Sequence, residues 1–258
     1  HAGLLCDPAS VEAMLRTDRA HFVPPLDPSA RVSSTYAYGP YADSPQPLGH
    51  KVTISAPHMH AVALDALSER IRAPASRVLD VGSGSGVLLA CMARIAPADA
   101  TIVGVEIVAE LVALSLANLR ASGLRPNEPS PATDGTAATE PAVLVRHADG
   151  WSGAADLGPF DAIHVGAFAP TVPALLAEQL APGGRMLVPI GEATRQSLVA
   201  IDRRADGSLV ETALRRCRFV PLRRVPRVDV PAGAAESAPA PTTATDAPPQ
   251  PPGGRAAL

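Results

Sequence analysis

The sequence has 258 residues, which is enough for one large domain or two small ones with a substantial core. Its net charge at pH 7 is only −3, with acids and bases interspersed, and this argues against a dedicated nucleic-acid surface. Three cysteines without CxxC spacing (Cys6, Cys91 and Cys217) argue against a zinc site or disulfide framework, and no apolar run is long enough to cross a membrane. We therefore expect a cytoplasmic protein with free thiols, no signal peptide, no bound metal and no membrane or nucleic-acid partner.

Short apolar runs alternate with helical patterns along the chain, which is typical of βαβ units and a largely parallel sheet. Helices are predicted at residues 57–72, 86–95 and 108–120. Strands are predicted at Arg77–Val81, Thr101–Glu106, Ala142–His147, Phe160–Val165 and 185–190. Two further strands, 197–202 and 209–219, are joined through Asp206-Gly207, which is a hairpin signal. The sequence therefore predicts an α/β fold whose parallel sheet ends in an antiparallel pair.

The composition of the chain changes near its end. Residues 231–258 are rich in Pro, Ala, Thr and Gly, with almost no large apolar side chain. Such a segment cannot bury enough surface to offset its ordering entropy, so we predict a disordered tail. Residues 1–230 are then one domain that includes an N-terminal helical segment. Within it, residues 126–140 are predicted to be a flexible insertion because they are rich in Pro, Thr and Gly.

A glycine-rich turn, Gly82-Ser83-Gly84-Ser85-Gly86, follows the strand Arg77–Val81 and precedes an apolar helix. Glycines let the backbone turn sharply and approach a ligand closely, and ligands bind beyond the carboxyl ends of parallel strands. The residues alone leave open a tight loop or a dinucleotide site. A dinucleotide fingerprint requires glycine at its sixth position, which is Val87 here, so the spacing favours S-adenosylmethionine, which has no pyrophosphate.

Two acidic residues follow the next strands of the series. Glu106 ends the strand after the glycine turn, where a carboxylate can accept hydrogen bonds from both ribose hydroxyls of a cofactor. Alternatively, Glu106 is an ordinary acidic residue at the start of a helix, where the helix dipole favours a negative charge. Asp149-Gly150 follows the third strand and could equally be a simple turn.

The segment from Thr53 to Pro57 indicates a hydroxyl-rich loop that runs into a helix, with Pro57 at the first helical position. Most serines placed as Ser55 is placed only cap the helix. Four segments of the sequence indicate more than a helix cap, because together they closely resemble the protein-L-isoaspartate (D-aspartate) O-methyltransferase family. They are MLRTDRAHF (14–22), DSPQPLGHKVTISAPHMH (43–60), FDAIHVGAFAPTVP (160–173) and LAPGGRMLVPIG (180–191). The resemblance covers roughly residues 11–222 in family order.

This resemblance implies a Rossmann-like, S-adenosylmethionine-dependent methyltransferase fold, and it assigns roles to individual residues. Ser55 is the implied catalytic residue, and Asp80 is expected to order the glycine turn or meet the methionine amino group. The implied cofactor contacts are Val52, Thr53, Ile54, Ser55, His60, Asp80, Gly82, Ser83, Gly84, Ser85, Glu106, Ile107, Asp149 and Gly150. The implied substrate contacts are Ala56, His164, Val165, Gly166, Val220 and Leu222.

Two features depart from the family pattern. The loop of residues 24–38 is longer than usual before the DSPQ string. Arg223 stands where the family often has a threonine that helps to close the cofactor pocket, so the C-terminal cofactor contacts are not carried over.

The implied reaction is transfer of the methyl group of S-adenosyl-L-methionine to the α-carboxyl of L-isoaspartyl and D-aspartyl residues in damaged proteins, leaving S-adenosyl-L-homocysteine. A carboxylate with a pKa near 4 is already ionised, so no general base is needed and Ser55 is expected to orient it. The expected partners are isoaspartyl-containing proteins and peptides, and we expect a monomer. One alternative is a Rossmann-like methyltransferase acting on a different small-molecule or carboxylate substrate. Another is a cofactor-binding relative that no longer catalyses and acts as an adaptor.

Overall fold

The computed structural model describes residues 7–24, 39–128 and 139–224, all within one compact unit that ends at residue 225. The helices are α1 (Pro8–Leu15), α2 (Pro57–Ile71), α3 (Val87–Ile95), α4 (Ala109–Ala121) and α5 (Ala174–Glu178). The strands are β1 (Gln46–Gly49), β2 (Val52–Ile54), β3 (Arg77–Val81), β4 (Thr101–Glu106), β5 (Ala142–His147), β6 (Phe160–Val165), β7 (Leu180–Glu192), β8 (Arg195–Arg203) and β9 (Leu209–Cys217). The predicted tail and most of both predicted insertions lie outside the described residues. Within the described ranges, none of the helices has the length and apolar character needed to cross a bilayer.

Seven strands form one sheet in the order β5-β4-β3-β6-β7-β8-β9. The pairs from β5 to β7 are parallel, and β8 and β9 add to this sheet as antiparallel strands. The predicted fold class, a mostly parallel sheet with antiparallel C-terminal strands, is therefore confirmed. A second, two-stranded sheet is formed by β1 and β2.

The long, strongly patterned elements agree with their sequence predictions, and the differences concern short segments. The predicted loop of residues 53–57 begins later than expected. Thr53 and Ile54 belong to strand β2, because residues 52–54 pair with β1 in a small antiparallel hairpin. Strand β7 begins five residues before the predicted start at residue 185, since Leu180 pairs with Phe160 before the register shifts. The five-residue helix α5 was not predicted.

The core lies on both faces of the seven-stranded sheet, as the period-2 alternation of a buried strand requires. In β3, Val78 packs in the larger cluster together with Leu64 of α2 and Leu89 of α3. The next residue, Leu79, packs in the second cluster, which includes Leu176 of α5. All five of these side chains are fully buried.

Strand β3 is the topological switch point of the sheet. The chain leaves β3 to form β4 on one side, and β6 later occupies the other side. In open α/β sheets the crevice outside the carboxyl ends of the strands at such a point is the expected ligand position. The glycine turn follows the carboxyl end of β3, so the topology places it at this crevice.

Candidate active site

The glycine turn is fixed to the end of β4. The backbone N–H groups of Gly82 and Ser83 both donate to the carbonyl oxygen of Val105, at 2.8 and 3.2 Å. Gly82, Gly84 and Gly86 have φ angles of +76°, +54° and +85°. L side chains rarely adopt this conformation, so the path of the turn depends on glycine at these three positions.

Glu106 is buried, and its carboxylate joins the glycine turn to the start of α4. Its Oε2 accepts a hydrogen bond from the Gly84 N–H at 3.0 Å. Its Oε1 accepts from the N–H groups of Ile107 at 2.9 Å and Val108 at 3.1 Å. A carboxylate offers about four acceptor positions, and described residues occupy three of them, so one position, on Oε2, remains for a ligand within the described structure. Glu106 therefore combines the helix-start role with a position open to a cofactor.

Two adjoining cavities form the crevice above these groups. Both are lined by the glycine turn, the hairpin residues Leu48 and Thr53, and Gly166. We call them the Glu106 chamber and the Ser55 chamber. The Glu106 chamber is also lined by Val52, Val105, Glu106, Ile107, Gly150, Ala167, Val220, Pro221, Leu222 and Arg223. The Ser55 chamber is also lined by Ile54, Ser55, His60, Asp80, Ser83, Ser85, Val87, Leu88 and His164.

The crevice brings together all but three of the residues that the sequence singled out. Ala56 is buried at the N-cap of α2, where its carbonyl oxygen accepts from the N–H groups of Met59 and His60. The Val165 side chain packs inside the core. The Asp149 carboxylate accepts from the Trp151 N–H at 2.9 Å, beside the wall of the Glu106 chamber.

Asp80 and His164 form a buried pair at the floor of the Ser55 chamber. They lie opposite each other in the register of β3 and β6, and Oδ1 of Asp80 is 2.7 Å from Nδ1 of His164. Both residues are less than a tenth exposed. The sequence assigned Asp80 to the cofactor and His164 to the peptide channel, whereas the structure places the two side chains in direct contact.

Two serine hydroxyls of the glycine turn have no hydrogen-bond partner among the residues that the structure describes. Ser83 and Ser85 are buried and line the Ser55 chamber, and neither Oγ has a hydrogen-bond partner within the described residues. Buried hydroxyls are normally satisfied, because leaving one unpaired costs roughly 1–3 kcal/mol. A polar ligand in this chamber would supply the missing partners, so the chamber fits a cofactor with amino and carboxylate groups.

Ser55 lies between β2 and α2 and does not cap the helix. The N-cap residue of α2 is Ala56, and no side-chain hydrogen bond is made from this position to the N-terminus of the helix. The capping is done from a distance by Asp43, whose Oδ1 accepts from the His58 N–H at 3.0 Å and is 2.8 Å from its Nδ1. Burial raises the pKa of Asp43, but the His58 hydrogen bonds and the positive charge of Arg19 outweigh it and lower the pKa overall. The capping explanation of Ser55 is therefore wrong.

The last described residues, 219–224, form a strap along one side of the crevice. The Phe168 N–H donates to the Val220 carbonyl at 2.8 Å, and the Leu222 N–H donates to the Phe168 carbonyl at 2.9 Å. The Trp151 indole Nε1–H donates to the Leu222 carbonyl at 3.1 Å. Arg223 lines the Glu106 chamber and donates to the Lys51 carbonyl on the hairpin at 3.5 Å.

Sequence reasoning missed several residues that build the crevice. Leu48 lines both chambers, and Trp151 anchors the strap. Arg19, a buried arginine of the short 3-10 turn Arg19–Phe22, contacts the Ser55 loop. The only signal for Arg19 was its place in the MLRTDRAHF string.

Comparisons with known proteins point to one family of methyltransferases. The family model described as Protein-L-isoaspartate(D-aspartate) O-methyltransferase (PCMT) matches residues 1–225. Protein-L-isoaspartate O-methyltransferase 1 of Arabidopsis thaliana is 40% identical over 220 residues, which cover 85% of this chain and 86% of the relative. The Triticum aestivum protein-L-isoaspartate O-methyltransferase is 42% identical over 212 residues, 82% of each chain. The crystal structure of a putative protein-L-isoaspartate O-methyltransferase from Plasmodium falciparum in complex with S-adenosyl-L-homocysteine has a TM-score of 0.69 and 32% identity, covering 86% of this chain and 93% of that one.

Proposed function

This chain belongs to the protein-L-isoaspartate(D-aspartate) O-methyltransferase family, and on that basis we propose how its crevice performs the reaction. The enzyme transfers the methyl group of S-adenosyl-L-methionine to the α-carboxylate of L-isoaspartyl and D-aspartyl residues in damaged proteins. The observation that carries our proposal is the meeting of the Ser55 loop, the glycine turn and Glu106 at one crevice.

The Glu106 chamber is the proposed site of the adenosine moiety. The remaining acceptor position of Glu106 would take a hydrogen bond from a ribose hydroxyl. This revises the expectation of bonds to both hydroxyls, since the three backbone N–H groups already occupy most of the carboxylate. Ile107 and Gly150 line the same chamber, with Asp149 directly beside it, and they are the proposed adenine contacts.

The Ser55 chamber is the proposed site of the methionine moiety and of the substrate carboxylate. Ser83 and Ser85 would hydrogen-bond the polar end of the cofactor, because their hydroxyls are buried without partners in the described part of the chain. The Asp80–His164 pair would hold the floor of the chamber in a fixed position and present a negatively charged oxygen to the amino group.

Methyl transfer to a carboxylate is an in-line displacement, for which the bound cofactor supplies an electrophilic methyl group. The attacking carboxylate is ionised at neutral pH, so the protein has no proton to remove. Its task is to align the carboxylate and exclude water, and positioning of this kind contributes roughly 7–11 kcal/mol. The Ser55 hydroxyl would donate a hydrogen bond that holds this carboxylate in line.

Strap residues 220–223 line the Glu106 chamber, beside the proposed adenosine site. A substrate peptide can contact residues 220–222 by pairing with their backbone or by touching their side chains. The Val220 carbonyl and both backbone groups of Leu222 are already bonded within the chain, so this pairing is reduced. Val220 and Leu222 line the Glu106 chamber, which adjoins the Ser55 chamber, and they remain the proposed substrate contacts.

The decisive experiment compares methylation of an isoaspartyl peptide with that of the same peptide containing normal aspartate. We expect turnover of the isoaspartyl peptide alone. Methylation of neither peptide, with unimpaired binding of S-adenosyl-L-homocysteine, would point to a different carboxylate substrate or to a non-catalytic relative.

The role of Ser55 is tested by Ser55→Ala. Loss of one hydrogen bond to an ionised carboxylate, about 1.5–3 kcal/mol, implies roughly a tenfold to hundredfold fall in kcat, and misalignment of the carboxylate would add to it. A matched control is Ser122→Ala, since the Ser122 hydroxyl donates to the Leu119 carbonyl at the end of α4. Wild-type kcat in a folded Ser55→Ala variant would contradict the catalytic assignment.

We also propose that the catalytic domain spans residues 1–230 and acts as a cytoplasmic monomer. Cys91 and Cys217 are free thiols, which suits a reducing compartment. Light scattering of the purified protein tests the monomer, and microscopy of the tagged chain tests the compartment.

A further inference from the structure

A buried guanidinium lies directly behind the Ser55 loop. Arg19 is 8% exposed, and its three nitrogens face three different segments. Its Nε donates to the Pro40 carbonyl at 2.8 Å, and its Nη2 donates to the Ser55 carbonyl at 2.8 Å. Its Nη1 is 3.5 Å from Nδ1 of His60 in the first turn of α2. Arg19 thus connects the segment before the β1–β2 hairpin, the loop after it and the following helix.

His60 is neutral in this environment. Burial, followed by the nearby positive charge of Arg19 and the proximity of His164 and His58, lowers the pKa of His60 to about 3. A neutral imidazole carries its proton on one nitrogen only, and an arginine can only donate. The nitrogen that faces Arg19 must therefore be the acceptor, which leaves the proton of His60 on Nε2.

We propose that Arg19 is a positioning residue of the active site, which fixes the Ser55 loop and holds His60 as the Nε2–H tautomer. This inference rests on the proposed role of Ser55. Both Ser55 and His60 line the same chamber of the crevice. Arg19 would thereby set the direction of the Ser55 hydroxyl and leave one His60 N–H as a donor toward bound carboxylates.

The shape of the guanidinium explains why arginine suits this position. Its donors lie in a rigid planar fork, so three acceptors that bind it are fixed relative to one another. A lysine ammonium is a compact charge on a flexible stem and cannot impose that geometry. The Arg19→Lys variant keeps the positive charge and removes the fork, so it separates positioning from charge.

Arg94 offers a matched control. It is also partly buried and donates to two backbone carbonyls, Ala90 at 3.0 Å and Ser122 at 2.9 Å. These contacts join α3 to the end of α4, and none of the three residues lines the crevice. Arg94→Lys should therefore lower the melting temperature without changing kcat.

We expect Arg19→Lys to lower kcat on an isoaspartyl peptide about tenfold to a hundredfold at saturating cofactor, because a small displacement of a positioning group has effects of this size. The assay is run well below the melting temperature of each variant. Equal kcat for Arg19→Lys and wild type, or an equal loss in Arg94→Lys, would overturn the proposal.

A second measurement needs neither substrate nor a variant of Arg19. Nitrogen-15 NMR of the wild-type imidazoles at neutral pH, with the His60 signal assigned by its absence in His60→Gln, reports which ring nitrogen carries the proton. We expect Nε2–H. A proton on Nδ1, or a doubly protonated ring, would overturn the proposal even if Arg19→Lys does not fold. Failure of the wild type to methylate the peptide would refute the proposed function and leave this tautomer test standing.

Discussion

Replacing Glu106 by Gln or Ala should separate its two roles. In the folded chain its Oε1 holds the N–H groups of Ile107 and Val108 at the start of α4, while its Oε2 holds the N–H of Gly84. A glutamine with its carbonyl at the Oε1 position keeps the α4 bonds and turns an NH₂ group toward Gly84. An alanine removes all three bonds.

The expected stability losses follow from this count. A buried N–H that loses its acceptor costs about 1–3 kcal/mol. Glu106→Gln leaves one such group, so we expect its free energy of unfolding to fall by about 1–3 kcal/mol. Glu106→Ala leaves three, and although water entering the crevice will satisfy part of this need, its loss should be clearly larger.

The expected loss of cofactor affinity follows from the one remaining acceptor position. A hydrogen bond to a charged group contributes about 1.5–3 kcal/mol, which corresponds to roughly a tenfold to hundredfold weaker binding of S-adenosyl-L-homocysteine. Bonds to both ribose hydroxyls would have implied the square of that factor. Calorimetry with S-adenosyl-L-homocysteine measures the affinity, and urea unfolding without ligand measures the stability.

The control is Glu110→Gln, an exposed acidic residue in the first turn of α4. It removes a negative charge near the same helix end without touching the glycine turn. Unchanged affinity in a folded Glu106→Gln variant would refute the ribose assignment. Unchanged stability would refute the view that this carboxylate ties the turn to the helix.

Three further changes test other parts of the structure. Asp43→Ala should lower the free energy of unfolding, measured in urea, by about 0.5–2 kcal/mol, because it removes the cap at His58. The pKa of His60 falls from 6.5 to about 3 on folding, so wild type should lose about 1.4 kcal/mol of stability per pH unit relative to His60→Gln as the pH falls from about 6 to 4. Gly150→Ala should weaken binding of S-adenosyl-L-homocysteine in calorimetry, because a Cβ there would lie 2.7 Å from Cγ1 of Val81 and shift the chamber wall.

Each of these has a clear contrary result. Wild-type stability of Asp43→Ala would show that solvent caps α2 equally well. Parallel stability curves for wild type and His60→Gln between pH 6 and 4 would mean that His60 titrates normally in the folded chain. Undiminished affinity in Gly150→Ala would mean that this wall does not contact the cofactor.

The parallel strands could be predicted from sequence because each is a short, continuous apolar run bounded by turn residues. Strands β3, β4, β5 and β6 have the predicted bounds. Strand β2 could not be predicted, since three residues with mixed polarity become a strand only through their pairing with β1. Strand β7 was predicted too short because residues 181–184, Ala-Pro-Gly-Gly, have the composition of a turn.

The residues of the candidate site also fall into those that the sequence predicts and those that it does not. Residues that contribute through local backbone geometry, such as Gly82 and Gly84, can be predicted from the sequence. Residues that act through distant partners do not. The acceptors of Arg19 lie 21, 36 and 41 residues away in the sequence, and the cap of α2 comes from Asp43, 15 residues before His58. Spacing rules concern neighbours, so these contacts became visible only in the folded chain.

The strap of residues 219–224 has a consequence for how the protein is made. During synthesis the glycine turn, Glu106 and the Ser55 loop all leave the ribosome long before this segment. The backbone of Phe168 and the indole N–H of Trp151 cannot form their hydrogen bonds to the strap until the strap has emerged. A nascent chain can therefore form most of its sheet early, yet one wall of the proposed cofactor site is absent until nearly all of the described chain has been translated. Binding of S-adenosyl-L-methionine would then favour the completed chain over shorter intermediates.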